Sequence, residues 1–323
     1  MTGSDTVCIC IPTRNRPDLL SEALLSCLVQ TRRPDFIIVG DDSTNTESQM
    51  LVEEISKTTT IPILYQKNPV ALGQNENINS LYDRALTTHL ILLHDDDLLL
   101  PNAVEDLASC WDQHPNLTAA YGKQYIITHT GEIDHEQTIG LNSAYYRTPD
   151  RAGLQPKDWE IGLLQQFPNN GFMILTSVAK AVRWRPANIV GAGGDFDFGL
   201  RLGLTHHGFF FLDKFTVKYR KTETGSISGS KSDNAALHAY LTLSEFPLPP
   251  SSDFLRIQKL AEIAPRALMQ AINHRQFKHA WSIYTSPNHG WNRRISLGGI
   301  RRLGLIMLGA ITFPRKEVAN DRA

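Results

Sequence analysis

Cysteine is scarce in this chain of 323 residues: Cys8, Cys10, Cys27 and Cys110 are the only four, and no CxxC pair occurs. A disulfide scaffold and a structural zinc site are therefore poor expectations, and a reducing compartment fits. An excess of positive charge is missing too. Lys+Arg number 32 against 33 Asp+Glu, a net charge of −1, which argues against a surface built to grip nucleic acid. Internal repeats and low-complexity tracts are absent. The first residues, MTGSDT, have neither the basic region nor the apolar run of a signal peptide. The most unusual absence is local. From Ile263 to Lys316 there is no acidic residue over 54 positions, which carry nine basic ones, so the rest of the chain carries −10. The C-terminal part thus differs in physical character from what precedes it.

What is present begins with a core. Hydrophobic residues make up 41% and charged ones 20%, enough apolar content to fold and too little charge for wholesale disorder. At about 150 residues per domain, the length suggests two domains or one with an extension. Thr6–Ile11, Phe36–Gly40, Ile61–Tyr65 and His89–Leu93 are short apolar runs, as buried parallel strands require. Helical patterns separate them. Leu19, Leu20, Ala23, Leu24, Cys27 and Leu28 share one face, and Thr46–Lys57 and Gln74–Leu86 follow. Alternating strands and helices predict an α/β fold with a doubly wound parallel sheet, whose ligands bind beyond the carboxyl ends of the strands. Further strands are expected at Ala119–Thr128, Phe172–Leu175 and Gly208–Tyr219, with helices at Asp158–Gln166 and Phe196–Leu204. From Asp233 the pattern is mostly helical, broken by FPLPPSSD at Phe246–Asp253.

Polar residues crowd the strand ends. The first strand ends in Pro12-Thr13-Arg14-Asn15-Arg16, the second in Asp41-Asp42-Ser43 and the fourth in His94-Asp95-Asp96-Asp97. Adjacent carboxylates after a buried strand repel one another and are costly to desolvate. A hard cation such as Mn²⁺ or Mg²⁺ removes that cost and also holds phosphates. A solvated loop, or an N-cap cluster with Asp97 capping a helix near Pro101, is the plainer alternative. The turn after the first strand has neither the GxGxxG of a nicotinamide dehydrogenase nor the GxGxR of a nucleotidyltransferase; PTRNRP stands there.

The pieces PTRNRP, GDDST, the Asn-rich helix near Asn75 and Asn77, LLHDDDLLLP and Gly193-Gly194-Asp195-Phe196-Asp197 together resemble a family 2 glycosyltransferase of the GT-A fold, over about residues 5 to 228. The resemblance implies a Rossmann-like, mostly parallel sheet flanked by helices. It implies a catalytic domain at 1–230, with a nucleotide-sugar half at 1–100 and an acceptor half at 101–230, followed by a basic helical extension at 231–323. Pro12, Thr13, Arg14, Arg16 and Asn77 would line the donor. Asp42, with Asp41 beside it, would accept a ring N–H, which uracil, thymine and guanine offer; hence a UDP, dTDP or GDP donor. Asp95, Asp96 and Asp97 would hold the metal, with Asp95 and Asp96 also at the donor. Asp195 would be the base for an inverting displacement, in which an acceptor hydroxyl attacks the anomeric carbon. Asp195 is equally placed to cap the helix that follows it. A non-catalytic nucleotide-sugar-binding homologue is the competing reading.

Two departures from the family pattern stand out. Gly194 replaces the Glu that many relatives carry before the helix Asp, and the segment Tyr219–Ser226 has no His, leaving Lys221 or Glu223 to meet the diphosphate or the metal. Plainer expectations attach to other residues. His94 reads as a packed strand-end residue and His206-His207 as a solvated turn. Trp159, Trp184 and Phe172 suit either sugar stacking or the core. Asn169, Asn170 and Gly171 resemble a polar loop near the donor sugar.

Finally, Trp291–Phe313 places Arg293, Arg294, Arg301 and Arg302 seven to eight apart, on one side of an expected helix with an apolar opposite face. Its uncharged run is about twelve residues, short of the roughly twenty that span a bilayer. Such a segment lies in an anionic membrane interface or packs on its own domain. The family resemblance favours a cytoplasmic enzyme peripheral to the inner face of the membrane, acting on a glycan or lipid-linked acceptor.

Overall fold

The computed structural model describes residues 5–221 and 234–312. They fall into two compact units, one drawn from Met1–Ile189 and Gly194–Ser226, the other from Val190–Gly193 and Ile227–Ala323.

The first unit opens with β1 (Val7–Thr13), α1 (Pro17–Leu28), β2 (Phe36–Asp41), α2 (Glu47–Ser56), β3 (Ile63–Lys67), α3 (Gln74–Arg84) and β4 (His89–Leu92). β1 pairs in parallel with β2 and β4, and β2 with β3. Thr13 lies opposite Asp41, and Cys10 opposite Leu92. The polar residues that follow each strand therefore emerge at one edge. Alternate residues of β1 feed different layers. Val7, Ile9 and Ile11 pack with α1, α2 and helix residues Val104 and Leu107; Cys8 and Cys10 pack with Ile78, Leu81 and Tyr82 of α3. This two-sided burial is why the strand reads as a continuous apolar run.

The chain continues through β5 (Leu98–Leu99), α4 (Ala103–Gln113), β6 (Ala119–Ile127), α5 (His135–Ala144), β7 (Gly153–Leu154), α6 (Asp158–Leu163), β8 (Met173–Leu175), α7 (Thr176–Val182), α8 (Ala187–Val190), α9 (Gly194–Thr205) and β9 (Phe209–Arg220). The sheet runs β3-β2-β1-β4-β8-β6-β9-β5, with β7 also on β9. Its first half is wholly parallel and its second half is mixed. β8 lies antiparallel between β4 and β6, β6 and β9 are parallel, and β5 and β7 pair antiparallel with β9. The expected parallel pairing is thus interrupted at β8 and resumes between β6 and β9. The two-residue strands β5 and β7 and the helix α5 have no apolar run or periodicity long enough to read.

Helices α6 and α9 cross without room for side chains. A Cβ on Gly162 would stand 2.3 Å from the Gly199 carbonyl oxygen, and one on Gly203 would stand 2.4 Å from that of Asp158. Glycine here is a packing requirement, and it fixes the height of α9 against the sheet.

The second unit is helical among its described residues: α10 (Ala235–Glu245), α11 (Asp253–Asn273), α12 (Phe277–Thr285), α13 (Trp291–Ile295) and α14 (Leu297–Thr312). Leu237, Leu243, Leu260, Leu268, Ile283 and Ile306 are buried. The expectation of one helix carrying four arginines on one side is corrected. Ser296 breaks the segment, and its Oγ accepts from Gly299 N–H at 3.0 Å as the cap of α14. Three of the arginines bond to groups of their own helical unit. Arg293 donates to the Ala261 carbonyl, Arg294 to those of Thr285 and Ser286, and Arg302 to Met269 Sδ. Phe313 and the basic pair Arg315 and Lys316 lie outside the described residues. No described helix is long and apolar enough to cross a membrane.

Candidate active site

The edge beyond β1, β2 and β4 is stitched by side chains of the strand ends themselves. Thr13 Oγ1 donates to Asp95 Oδ2 at 2.8 Å, and Arg16 Nη1 lies 3.4 Å from Asp95 Oδ1 and 2.9 Å from Asp96 Oδ2. Asn15, in the left-handed region at φ 53°, donates its N–H to Ser43 Oγ and accepts from Thr44 N–H. Arg14 is exposed, and Pro12 is buried in β1.

The two aspartates at the end of β2 divide their work. Asp41 is fully buried, accepting from Ser43 N–H and from Tyr65 Oη at 2.6 Å. Asp42 accepts from Asn68, from Leu72 N–H at 3.0 Å and from Gly73 N–H at 2.8 Å. With about four acceptor positions on a carboxylate, one remains for a ligand N–H. Asn77, expected at the donor, is instead buried in α3. It donates to the Gly40 carbonyl and accepts from Asn68, so it braces the end of β2.

The acidic turn after β4 is grouped differently from the expected aspartate triplet. Ligand atoms of His94, Asp96 and Asp97 lie within 4.8 Å of one another, while Asp95 faces Thr13 and Arg16. Asp97 is fully buried. It accepts from Arg220 N–H at 2.7 Å and from Asn170 at 2.6 Å. Asn170 thus serves the acidic turn. Burial, then the charge of Asp96, pushes Asp95 up to about 6 and raises Asp97 as well. His94 is lowered by burial, which keeps its imidazole neutral, and its Nε2 is buried with no hydrogen-bond partner. A cluster of carboxylates beside a neutral imidazole, whose Nδ1 lies 3.9 Å from Asp97 Oδ2, is a donor set suited to a divalent cation.

Arg220, to which the sequence reading assigned no role, anchors this turn. Its Nε donates to the Asp96 carbonyl at 2.9 Å, Nη1 to that of His129 at 2.8 Å, and Nη2 to Glu22 at 2.5 Å. The signal was slight: one buried Arg closing an aromatic strand. Of the residues proposed to replace the family His, Lys221 donates to Gln137, and Glu223 lies outside the described residues.

Asp195 stands at the start of α9, in a pocket also lined by Tyr145, Arg147, Gln165, Asn169 and Tyr219. Its Oδ1 accepts from Phe196 N–H at 2.8 Å. The carboxylate is exposed to solvent within the pocket, yet protein crowds around it. That partial desolvation raises it above the usual carboxylate value, against the opposing Phe196 N–H. A chain of polar contacts ties down the first turn of α9, on which it stands. Asn79 and Asn75 of α3 bind the backbone of Trp184 and Arg185, and Arg185 forks onto Asp197, which also takes Arg201 at 2.9 Å. Tyr219 is held neutral by burial and by the negative charges of Asp97, Asp96 and Asp195.

The remaining sequence candidates separate cleanly. Phe172 and Trp184 belong to the core, where Trp184 stacks on Phe198 at 5.0 Å. Trp159 is half-buried beneath Lys157. His207 is exposed, with Asp158 at 2.8 Å.

Comparison with known proteins agrees with this architecture. The chain is 30% identical over 99 residues to a GalNAc(5)-diNAcBac-PP-undecaprenol beta-1,3-glucosyltransferase of Campylobacter jejuni, covering 31% of this chain and about a third (32%) of that relative. In fold it is similar to S. aureus TarS 1–349 in complex with UDP-GlcNAc, with a TM-score of 0.60 and 16% identity over 94% of this chain and 81% of that one. It is also similar to the mannosyltransferase PcManGT of Pyrobaculum calidifontis in complex with GDP-Man and Mn²⁺, with a TM-score of 0.54 and 13% identity over 96% and 87%. These likenesses establish the GT-A type of fold. The profile of glycosyl transferase family 2 matches residues 8–172, from β1 to the edge of β8, and the chain belongs to that family.

Proposed function

We propose that this chain is an inverting, metal-dependent glycosyltransferase that moves a sugar from a nucleotide-sugar donor to an acceptor hydroxyl, in the synthesis of a cell-surface polysaccharide or glycolipid. The observation that carries the reading is the juxtaposition of two carboxylate groups across Tyr219: the turn His94–Asp97 and the pocketed Asp195. One suits a diphosphate and its cation, and the other suits a proton.

In this reading the donor lies over the edge of β1, β2 and β4. Asp42 accepts a ring N–H from the base of a UDP, dTDP or GDP donor. Arg14 and Arg16 meet the diphosphate, and Asp95 and Asp96 meet the sugar-nucleotide. His94, Asp96 and Asp97 would hold Mn²⁺ or Mg²⁺, with Asp95 at its side; the bound ion would neutralise charge on the departing diphosphate. Asp195 takes the proton from the acceptor hydroxyl. The acceptor oxygen bonds to the anomeric carbon from the face opposite the diphosphate, and the bond from that carbon to the diphosphate breaks. No covalent enzyme intermediate arises, and the configuration inverts. Arg16, beside Asp95 and Asp96, would offset charge on the leaving group.

The relatives support the substrate class, since their names include UDP-GlcNAc, GDP-Man with Mn²⁺, and an undecaprenol-linked acceptor. We assign the donor half to 1–100, the acceptor half to 101–230 and the helical extension to 231–323. The extension would rest on an anionic membrane at its cytoplasmic face. One observation favours this. On α14, Leu297, Ile300, Leu305, Met307 and Leu308 are all exposed, on a single arc with Arg301, while Ile306 opposite them is buried.

The test is a thermal-shift screen of nucleotide sugars with and without Mn²⁺. One nucleotide class should raise the melting temperature only with the cation, by a stabilisation of about 2–4 kcal/mol at saturation. No shift with any UDP, dTDP or GDP sugar would refute the reading.

A further inference from the structure

The pocket beside Asp195 contains a cation that the mechanism above does not use. Arg147 is buried, with 3% of its surface exposed, yet it forms no ion pair among the described residues. Its Nε donates to the Gln166 carbonyl at 2.8 Å and its Nη1 to Gln124 Oε1 at 2.6 Å. Its Nη2 makes no hydrogen bond among the described residues. The ionisable groups that act on it are the phenols of Tyr145 and Tyr121, and no carboxylate is among them. The Tyr145 ring lies 5.4 Å from the guanidinium carbon. Burial draws Arg147 down to about 10, so it remains charged at neutral pH.

A buried guanidinium satisfied by neutral oxygens alone is costly, and an anion that forks onto it recovers that cost. The surrounding backbone is built around it. Tyr146 and Gln165, which flank the two segments that hold it, both adopt the left-handed region, at φ 56° and 55°. Gln124, Gln165 and Asn169 add neutral polar groups to the wall, and Asp195 stands on the same wall.

We propose that this pocket binds an acidic group of the acceptor, a carboxylate or a phosphate, which forks onto Arg147 and sets the reacting hydroxyl before Asp195. The inference rests on Asp195 as the base, since that places the acceptor in this pocket. It names what the acceptor must carry beyond a hydroxyl, and it makes Arg147 a specificity-determining residue.

The experiment is calorimetric titration of the full chain at constant ionic strength, with and without UDP and Mn²⁺. The probes are methyl β-glucuronide and glucose 6-phosphate, each compared with neutral methyl β-glucoside. One acidic probe should bind at least about tenfold more tightly than the glucoside, and which one does so separates carboxylate from phosphate. Arg147→Met should abolish the preference while leaving UDP affinity unchanged. Should that variant fail to fold, Asn169→Asp, which adds a negative charge to the same wall and keeps the arginine, should also abolish it. Equal binding of acidic and neutral probes, or a preference that survives both substitutions, would overturn the proposal. Titration without nucleotide reads the pocket alone, so a failure to bind UDP would count against the donor site and not against this one.

Discussion

The backbone N–H of Arg220 donates to Asp97 Oδ1 at 2.7 Å, joining the last residue of the longest strand to the acidic turn 123 positions earlier. The side chain of the same arginine takes the Asp96 carbonyl, so the turn is gripped at two successive residues. A cluster of carboxylates that repel one another stays in place because a neighbouring strand holds its backbone.

Substituting Arg220→Met should therefore loosen the turn without removing any candidate ligand. The Asp96 and His129 carbonyls lose their donor, at a cost of about 2–3 kcal/mol of stability. The donor KM should rise about tenfold, with a smaller fall in kcat. Thermal melting and steady-state kinetics with a saturating metal check both.

Asp195→Asn retains shape and capping capacity but removes the proposed base. Turnover should fall by about two to four decades, with donor binding little changed. Single-turnover kinetics and nucleotide titration separate the two effects.

The raised value of Asp195 carries two signs. As a base it must be ionised, so the acid limb of kcat should lie above the ordinary carboxylate value of 3.8, with activity lost as pH falls through it. As a folded-state group it prefers its proton. Its favourable contribution is full below the unfolded value and is lost as pH rises through the folded one. Asp195→Asn should thus melt no lower than the wild type at pH 7, and an increase is the expected outcome. A marked loss of stability would contradict the raised value.

Gly162→Ala probes the scaffold alone. The new Cβ has no space against the Gly199 carbonyl, so α6 and α9 must separate, at a cost of about 1–3 kcal/mol. Because α9 carries Asp195, turnover should fall as well, while UDP affinity stays near wild type.

The membrane reading is tested by vesicle co-sedimentation. The full-length protein should bind anionic vesicles at low salt and release as salt rises. Replacing Ile300 and Leu308 by Glu on the exposed arc of α14 should abolish binding. Equal binding by both forms, or none by either, would assign α14 a purely structural role.

Much of the first unit was legible in the sequence, for a physical reason. β1, β2 and β4 are buried on both faces, so each reads as an apolar run that stops where the polar edge begins. Asp42 and Asp95 stand out for the same reason, whereas Asp195, at the start of α9, was reached only through the family resemblance. What depends on partners distant in the chain was not legible. The antiparallel insertion of β8 is a matter of sheet order. Arg220 gains its role from Glu22, Asp96 and His129, none of them near it in sequence. Asn77 looks like a ligand residue until its amide is seen spanning Gly40 and Asn68. The break at Ser296 did leave a signal, a serine three residues before Gly299, but the seven-residue spacing of the arginines pointed the other way.

The central claim is that the His94–Asp97 turn and Asp195 form one catalytic site for transfer from a nucleotide sugar. The most direct measurement is release of nucleoside diphosphate from UDP-, dTDP- and GDP-sugars, with Mn²⁺ and with EDTA, by the wild type and by Asp195→Asn. One nucleotide class should be turned over by the wild type with Mn²⁺ and by neither the chelated enzyme nor the variant. Tight nucleotide-sugar binding without turnover would make the chain a binding homologue, and full activity in EDTA would remove the metal from the account.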